Sequence, residues 1–200
     1  MLSEIITKDL NLVYNRTKLF DSNIEETIEL IKSGEDVNAV EEHMGQSPLH
    51  IACVRGVHKT SLLLENGADV NKIDGNGKTP LFYAGFEESM ILLKEGAYVD
   101  RIEFFHGRTP LFGCNLDDSE VSSIDVEKSR LLIEHGADVN HQDDYGKTAL
   151  FYADTKNTSL LLQNGADVNK EDYSGVTPLE NELFRDRHDK VKILLAYIFS

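Results

Sequence analysis

One stretch recurs along this chain, and internal repetition constrains architecture more than any single motif does. It is clearest from Asn66 to Pro80, Asn-Gly-Ala-Asp-Val-Asn-Lys-Ile-Asp-Gly-Asn-Gly-Lys-Thr-Pro. Variants occur at Ser33–Pro48, Glu95–Pro110, His135–Ala149 and Asn164–Pro178. Each copy follows an apolar run, such as Leu62-Leu63-Leu64 or Leu160-Leu161-Leu162, that reads as a buried helix. The glycine after the run suits a left-handed helix cap, which a residue with a Cβ adopts at a cost. The Asp- and Asn-rich segment that follows favours turns over helix. Thr-Pro then restarts a helix, Thr at the N-cap and Pro at the first helical position, where its missing N–H is no loss. Ala52, Ala84 and Ala153 are small enough to let paired helices approach closely.

Ser47-Pro48-Leu49-His50-Ile51-Ala52 nearly spells Thr-Pro-Leu-His-x-Ala, and the chain from about residue 24 resembles the ankyrin-repeat family. The resemblance implies an all-α ankyrin-repeat solenoid of about six helix-turn-helix units, with hairpin-like fingers on one edge. It also implies one domain over 1–200. Within it, 1–44 is an N-terminal capping repeat, 45–76, 77–106, 107–145 and 146–174 are internal repeats, and 175–200 is a C-terminal cap. Helical spacing of Ile5, Ile6, Leu10, Val13 and Tyr14 predicts a first helix, and Ile24 to Ser33 a second.

The repeat length is uneven. Gly34 to Gly67 is 33 residues, the usual period, but Gly67 to Gly96 and Gly136 to Gly165 are each 29. About one helical turn is missing there, so the first helix or the link between helices is expected to be shortened. Gly96 to Gly136 is 40, because of an acidic insertion, Gly113 to Glu127, at the inter-helix connection. Loops of this size are often functional, so this one is either a solvated excursion or a contact with a basic partner. The signature His becomes Phe82, Phe112 and Phe151, and Glu180 in the last copy. A Phe keeps buried area but loses the hydrogen bond that links repeats in the family. The final helix is unusually apolar, Leu194-Leu195-Ala196-Tyr197-Ile198-Phe199, and reads either as packed on its own repeat or as a dimer face.

Catalytic and metal chemistry is not expected. Gly-Lys-Thr at 77–79 and 146–148 lacks the earlier glycine of a P-loop, since Lys72 and His141 stand there. Seven histidines form no metal-binding spacing. The pairs Glu41-Glu42, Asp117-Asp118 and Asp143-Asp144 fall in loops, where carboxylates in water have no reason for matched pKa values. Cys53 and Cys114 lack paired spacing and read as packing residues of a reducing compartment. With no long apolar run and a charged start, the chain is expected to be cytoplasmic.

Twenty basic against 35 acidic residues leave a net charge of −15, a surface that repels nucleic acid and anionic lipid. It suits a basic protein partner, or serves solubility alone. The family resemblance implies a non-enzymatic protein-binding module without cofactor, monomeric on its own. The candidate contacts are acids and apolar residues of the finger tips and the insertion. They are Glu41, Glu42, Met44, Ile73, Asp74, Phe104, Phe105, Asp117, Asp118, Asp143, Asp144, Tyr145, Asp172 and Tyr173. The short Thr-Pro-Leu-Phe-Tyr-Ala and Thr-Ala-Leu-Phe-Tyr-Ala copies are similar to those of compact bacterial ankyrin proteins, some of them immunity proteins against toxins. Two functions fit: a neutraliser of a basic toxin, or an adaptor or host-directed effector that docks a cellular protein without inhibiting it.

Overall fold

A computed structural model describes residues 18–113, 125–185 and 187–199. The expected first helix before Lys18, the insertion from Cys114 to Ile124 and its acids Asp117 and Asp118 lie outside the described residues. The chain divides into two compact units, one ending at Tyr98 and one beginning at Val99.

The first unit opens with a 3-10 turn, Lys18–Phe20, then α1 (Ile24–Lys32), α2 (Pro48–Arg55), α3 (Val57–Glu65), α4 (Pro80–Tyr83) and α5 (Phe86–Lys94). The second has a 3-10 turn, Pro110–Phe112, then α6 (Val126–Glu134), α7 (Ala149–Tyr152), α8 (Thr155–Gln163), α9 (Pro178–Phe184) and α10 (His188–Ile198). No strand occurs among the described residues, so both units are all-α.

The local signals act as the residues dictate. Ser47, Thr79, Thr109, Thr148 and Thr177 are N-caps. Gly34, Gly67, Gly96, Gly136 and Gly165, just past the second helices, take φ between 85° and 92°. Nothing crowds these five positions, so backbone conformation alone calls for glycine there.

The missing turn comes out of the first helix. α2 has 8 residues, whereas α4 and α7 have 4 each. Ala84 and Ala153 end the short helices in extended backbone, ψ 141° and 144°, and the next helix starts almost at once. Asp154 caps that restart in the second unit, accepting the Asn157 N–H at 2.8 Å. The core of each unit is a file of leucines: Leu49, Leu63, Leu81 and Leu92 in the first, Leu132, Leu150 and Leu194 in the second, all fully buried. Each contributes roughly 1.5–3 kcal/mol on burial.

Two lysines pin successive repeats together. Lys59, third in α3, donates to the carbonyls of Leu19 at 2.6 Å and Ser22 at 2.8 Å. Lys190, third in α10, donates to the Phe151 carbonyl at 3.2 Å and to Glu182 at 3.1 Å. In both cases the ammonium meets carbonyls at the end of the preceding repeat's first helical segment, which lack partners within it. Burial lowers both lysines to a pKa of about 8.

Candidate protein-binding surface

Each finger is a tight turn built around one buried carboxylate. Asp74 accepts the N–H groups of Asn76 and Lys78, Asp143 those of Tyr145 and Lys147, and Asp172 those of Ser174 and Val176. A backbone bond closes the turn four residues on, as from Asp74 N to Lys78 O at 2.9 Å. Glu41 and Glu103 occupy the same place in fingers one residue longer, closed by Glu41 N to Gln46 O and Glu103 N to Arg108 O, both 3.0 Å. Their carboxylates reach three N–H groups, those of Phe105, His106 and Arg108 in the case of Glu103. The longer turn thus carries the longer acid.

This corrects the expectation that the tip acids are exposed. Glu41, Asp74, Asp143 and Asp172 are buried, between 1% and 9% exposed, because they hold the turns from within. For the same reason Glu41 and Asp143 are not loop acids in water, as their pairing with Glu42 and Asp144 suggested. Glu42 and Asp144 do face solvent, Met44 is half-buried, and Ile73 is exposed.

The apolar candidates stand out from the turns. In the second unit Phe104, Phe105, Tyr145 and Tyr173 are 59%, 66%, 54% and 75% exposed. Backbone bonds set their fingers side by side, Asp144 N to His106 O at 2.8 Å and Tyr173 N to Tyr145 O at 3.1 Å. The His106 and Tyr145 rings lie 6.2 Å apart across the first of these steps. Gly146 makes the close approach possible: a Cβ there would fall 2.6 Å from Tyr173 N. In the first unit the corresponding step, Gly75 N to Met44 O at 2.7 Å, aligns fingers carrying Glu42, His43, Met44 and Ile73. The second unit therefore presents a row of rings interleaved with the exposed acids Asp144 and Glu171, and the first a less aromatic row.

Sequence reasoning missed the tyrosines of Leu-Phe-Tyr-Ala. Tyr83 donates to Asp74 at 2.5 Å and Tyr152 to Asp143 at 2.7 Å. A first helix of one turn brings its fourth residue back over its own finger, and the hydroxyl then buttresses the turn carboxylate. Arg108 completes the second of these clusters. It donates to Asp143 at 3.3 Å and to the Tyr152 oxygen at 3.1 Å, and lies 4.5 Å above the Tyr152 ring. Burial pushes the Tyr152 phenol up, so it stays a donor. The recurrence of Tyr nine residues after the finger Asp was the available signal.

The signature histidine behaves as the family comparison implied. His50 Nδ1 accepts the Ser47 N–H at 3.0 Å, and Nε2 meets Lys78 O of the next finger at 3.1 Å. Where Phe82, Phe112 and Phe151 replace it, the cap hydroxyls of Thr79, Thr109 and Thr148 are left without a partner among the described residues. Glu180 restores the local half, bonding the Thr177 N–H and hydroxyl at 2.8 Å.

Repeated helix pairs joined by carboxylate-held fingers define a protein-interaction scaffold, with reactive groups tied into structural bonds. Among the described residues no cluster of His, Cys, Asp and Glu is large enough to hold a metal ion, and no helix is long and apolar enough to cross a membrane. The chain belongs to the ankyrin-repeat family, whose model matches residues 20–103 and 124–199. It is 35% identical over 131 residues to the putative ankyrin repeat protein FPV244 of Fowlpox virus, covering 62% of this chain and 18% of that protein. It is 28% identical over 140 residues to a putative ankyrin repeat protein of Rickettsia felis, 65% of this chain and 44% of that one. It is 43% identical over 61 residues to the ARF GTPase-activating protein Git of Drosophila melanogaster, 30% of this chain and 8% of that one. The chain thus spans less than half the length of each, and none of the three names carries an immunity role. The chain is a protein–protein interaction module.

Proposed function

We propose that the finger rows bind one basic partner protein and that binding neutralises it, as an immunity protein does a toxin, in the cytoplasm. The row of Phe104, Phe105, Tyr145 and Tyr173 carries this reading: rings more than half exposed on hydrogen-bonded turns supply anchors at low entropic cost. Asp144 and Glu171 beside them supply rim contacts, and Glu42, Met44 and Ile73 on the first unit's fingers are proposed contacts in their own right. The −15 charge steers a cationic partner in. Asp117 and Asp118 of the insertion belong to the same proposal on sequence grounds. The buried acids act indirectly, by holding the turns.

The alternative, an adaptor that docks a cellular protein without inhibiting it, is favoured by one observation: the likeness to Git covers only a small part of a protein named for another activity. One experiment separates the two. The native chain and the Phe104→Ala, Phe105→Ala, Tyr145→Ala triple variant are immobilised and exposed to a lysate from their own source. Recovery of one small basic protein on the native column alone, with loss of that protein's activity in the complex, supports neutralisation. Retention without inhibition favours the adaptor. Equal retention on both columns removes the ring row from the interface, and an association rate indifferent to salt removes the steering.

A further inference from the structure

Inside the turns of the second unit, one ring and one carboxylate hold an arginine of the chain's own. The Arg108 guanidinium lies 4.5 Å above the Tyr152 ring and donates to Asp143 at 3.3 Å. At the tips the same kinds of group, rings and a carboxylate, meet solvent. A Cβ added to Gly107 would run into the Asp144 carboxylate, which therefore lies over the finger that carries Phe104 and Phe105. A Cβ added to Gly146 would fall 2.5 Å from Tyr173 Cδ1, so the Tyr173 ring lies over the finger that carries Tyr145. The backbone bonds that join these fingers, 2.8 and 3.1 Å long, set neighbouring tips about 5 Å apart. Four rings more than half exposed thus share one ridge with the Asp144 carboxylate. That carboxylate has no hydrogen-bond or ion-pair partner among the described residues. The bases of these turns are committed elsewhere: Arg108 to Asp143 and Lys147 to Asp172 at 3.8 Å, while His106 Nδ1 stands 3.7 Å from Glu103.

We propose that this ridge reads arginine: a guanidinium of the partner stacks on the exposed rings and forks onto the Asp144 carboxylate. The proposal rests on the ring row being the partner interface and names the chemistry it recognises there. Three features select the guanidinium. A carboxylate without a partner calls for N–H donors, which a quaternary ammonium such as trimethyl-lysine does not have. The rings form an open row, so the occupant lies flat on them, and a guanidinium is planar where an ammonium is not. A guanidinium is also the more weakly hydrated of the two, which favours it at a site that stays half in water. Arg108 over Tyr152 and Asp143 has this arrangement within the chain itself. The area sets the size of the occupant. At roughly 200 Å² per ring, the four rings expose about 500 Å². That is most of the roughly 600 Å² that one side of a small specific interface contributes. One side chain covers only a fraction of it, so the occupant is a segment of the partner carrying several arginines.

The test titrates the full chain into dye-labelled peptides and follows fluorescence anisotropy. The probes are four Gly-Arg repeats, four Gly-Lys repeats, and the lysine peptide trimethylated on every lysine, all of equal charge. Salt is held at about 150 mM to screen diffuse attraction to the acidic surface. The arginine peptide is expected to bind about fivefold more tightly than either lysine peptide. Asp144→Asn is expected to weaken the arginine peptide about tenfold. Glu87→Gln, the same loss of charge on the exposed side of α5, is expected to leave it unchanged. Phe105→Leu with Tyr145→Leu and Tyr173→Leu keeps apolar side chains and is expected to bring the arginine and lysine peptides to equal affinity. Tyr173→Leu alone repeats that comparison, with a smaller fall in the ratio, should the triple variant lose its helical circular dichroism. Equal affinity of the native chain for the arginine and lysine peptides would overturn the proposal. So would no binding of the arginine peptide up to about 1 mM, tighter binding of the trimethylated peptide, or an Asp144→Asn variant of native affinity. Lysate capture without inhibition removes neutralisation and leaves the arginine site standing, whereas equal peptide affinities remove the site and leave a basic partner standing.

Discussion

Asp100 breaks a pattern, and replacing it by Asn should stabilise the protein. In three fingers an Asn side chain clamps the next repeat with two bonds. Asn140 donates to Gly165 O at 3.0 Å and accepts the Asp167 N–H at 2.7 Å; Asn38 and Asn71 do the same toward Gly67 and Asp69, and toward Gly96 and Tyr98. Asp100 holds this place ahead of Gly136. Ionised, it has no proton for that carbonyl, and both its oxygens accept the one Asp138 N–H, at 3.2 and 3.1 Å. Burial raises its pKa, with the Asp138 charge adding to the rise, while the Asp138 N–H and His141 oppose it.

Asp100→Asn restores one hydrogen bond, worth about 1 kcal/mol. In a chain of this size that moves the denaturation midpoint up by about 2–4 °C. The pH dependence discriminates further. The native carboxyl holds its proton more tightly than the unfolded one, so the wild type loses stability as pH rises from about 4 through the raised native value. Asn has no proton to lose, so the advantage of the variant is full at pH 7 and shrinks toward pH 4. Urea denaturation at both pH values measures it. No gain at pH 7, or an equal gain at both, refutes the argument. Asn140→Asp is the converse and should destabilise by a similar amount.

Glu103→Asp should destabilise by about 1–2 kcal/mol, because the shorter acid cannot span a five-residue turn and satisfy all three N–H groups; urea melts read it, and no change would break the link between acid and turn length. His50→Phe should lower stability by about 2 kcal/mol through loss of its bonds to Ser47 and Lys78. Burial holds the native His50 pKa down, so the wild type should lose stability as pH falls below about 6.5, where the unfolded imidazole takes up its proton first, and the variant should lack that component of the pH profile. Lys190→Met leaves the buried Glu182 carboxylate only the long 4.0 Å approach of the half-exposed Arg187 to balance its charge and should cost about 3–5 kcal/mol; adding Glu182→Leu should recover a large part, and failure to recover it in a double-mutant cycle would count against the pairing.

Repetition made the fold legible, because each repeat states its caps, turns and apolar run in residues whose conformational preferences are local. Spacing located the lost turn between the repeat's two helices but left the first helix and the link as alternatives, and the structure takes it from the helix. The site was legible only in part, and one error explains the rest. Glu41, Asp74, Asp143 and Asp172 look like surface acids to any rule that equates charge with solvent. Whether a carboxylate faces water or backbone N–H groups is set by the turn around it, and that information is spread over five or six residues. The clue lay in covariation within the chain: Glu where the finger has one more residue, Asp where it has one fewer, and Tyr nine residues after Asp where the first helix is short. A side chain that only met water would have no reason to track the length of its loop. The exposed rings show no such correlation with turn or helix length, and this separates what holds the fingers together from what the fingers offer to a partner.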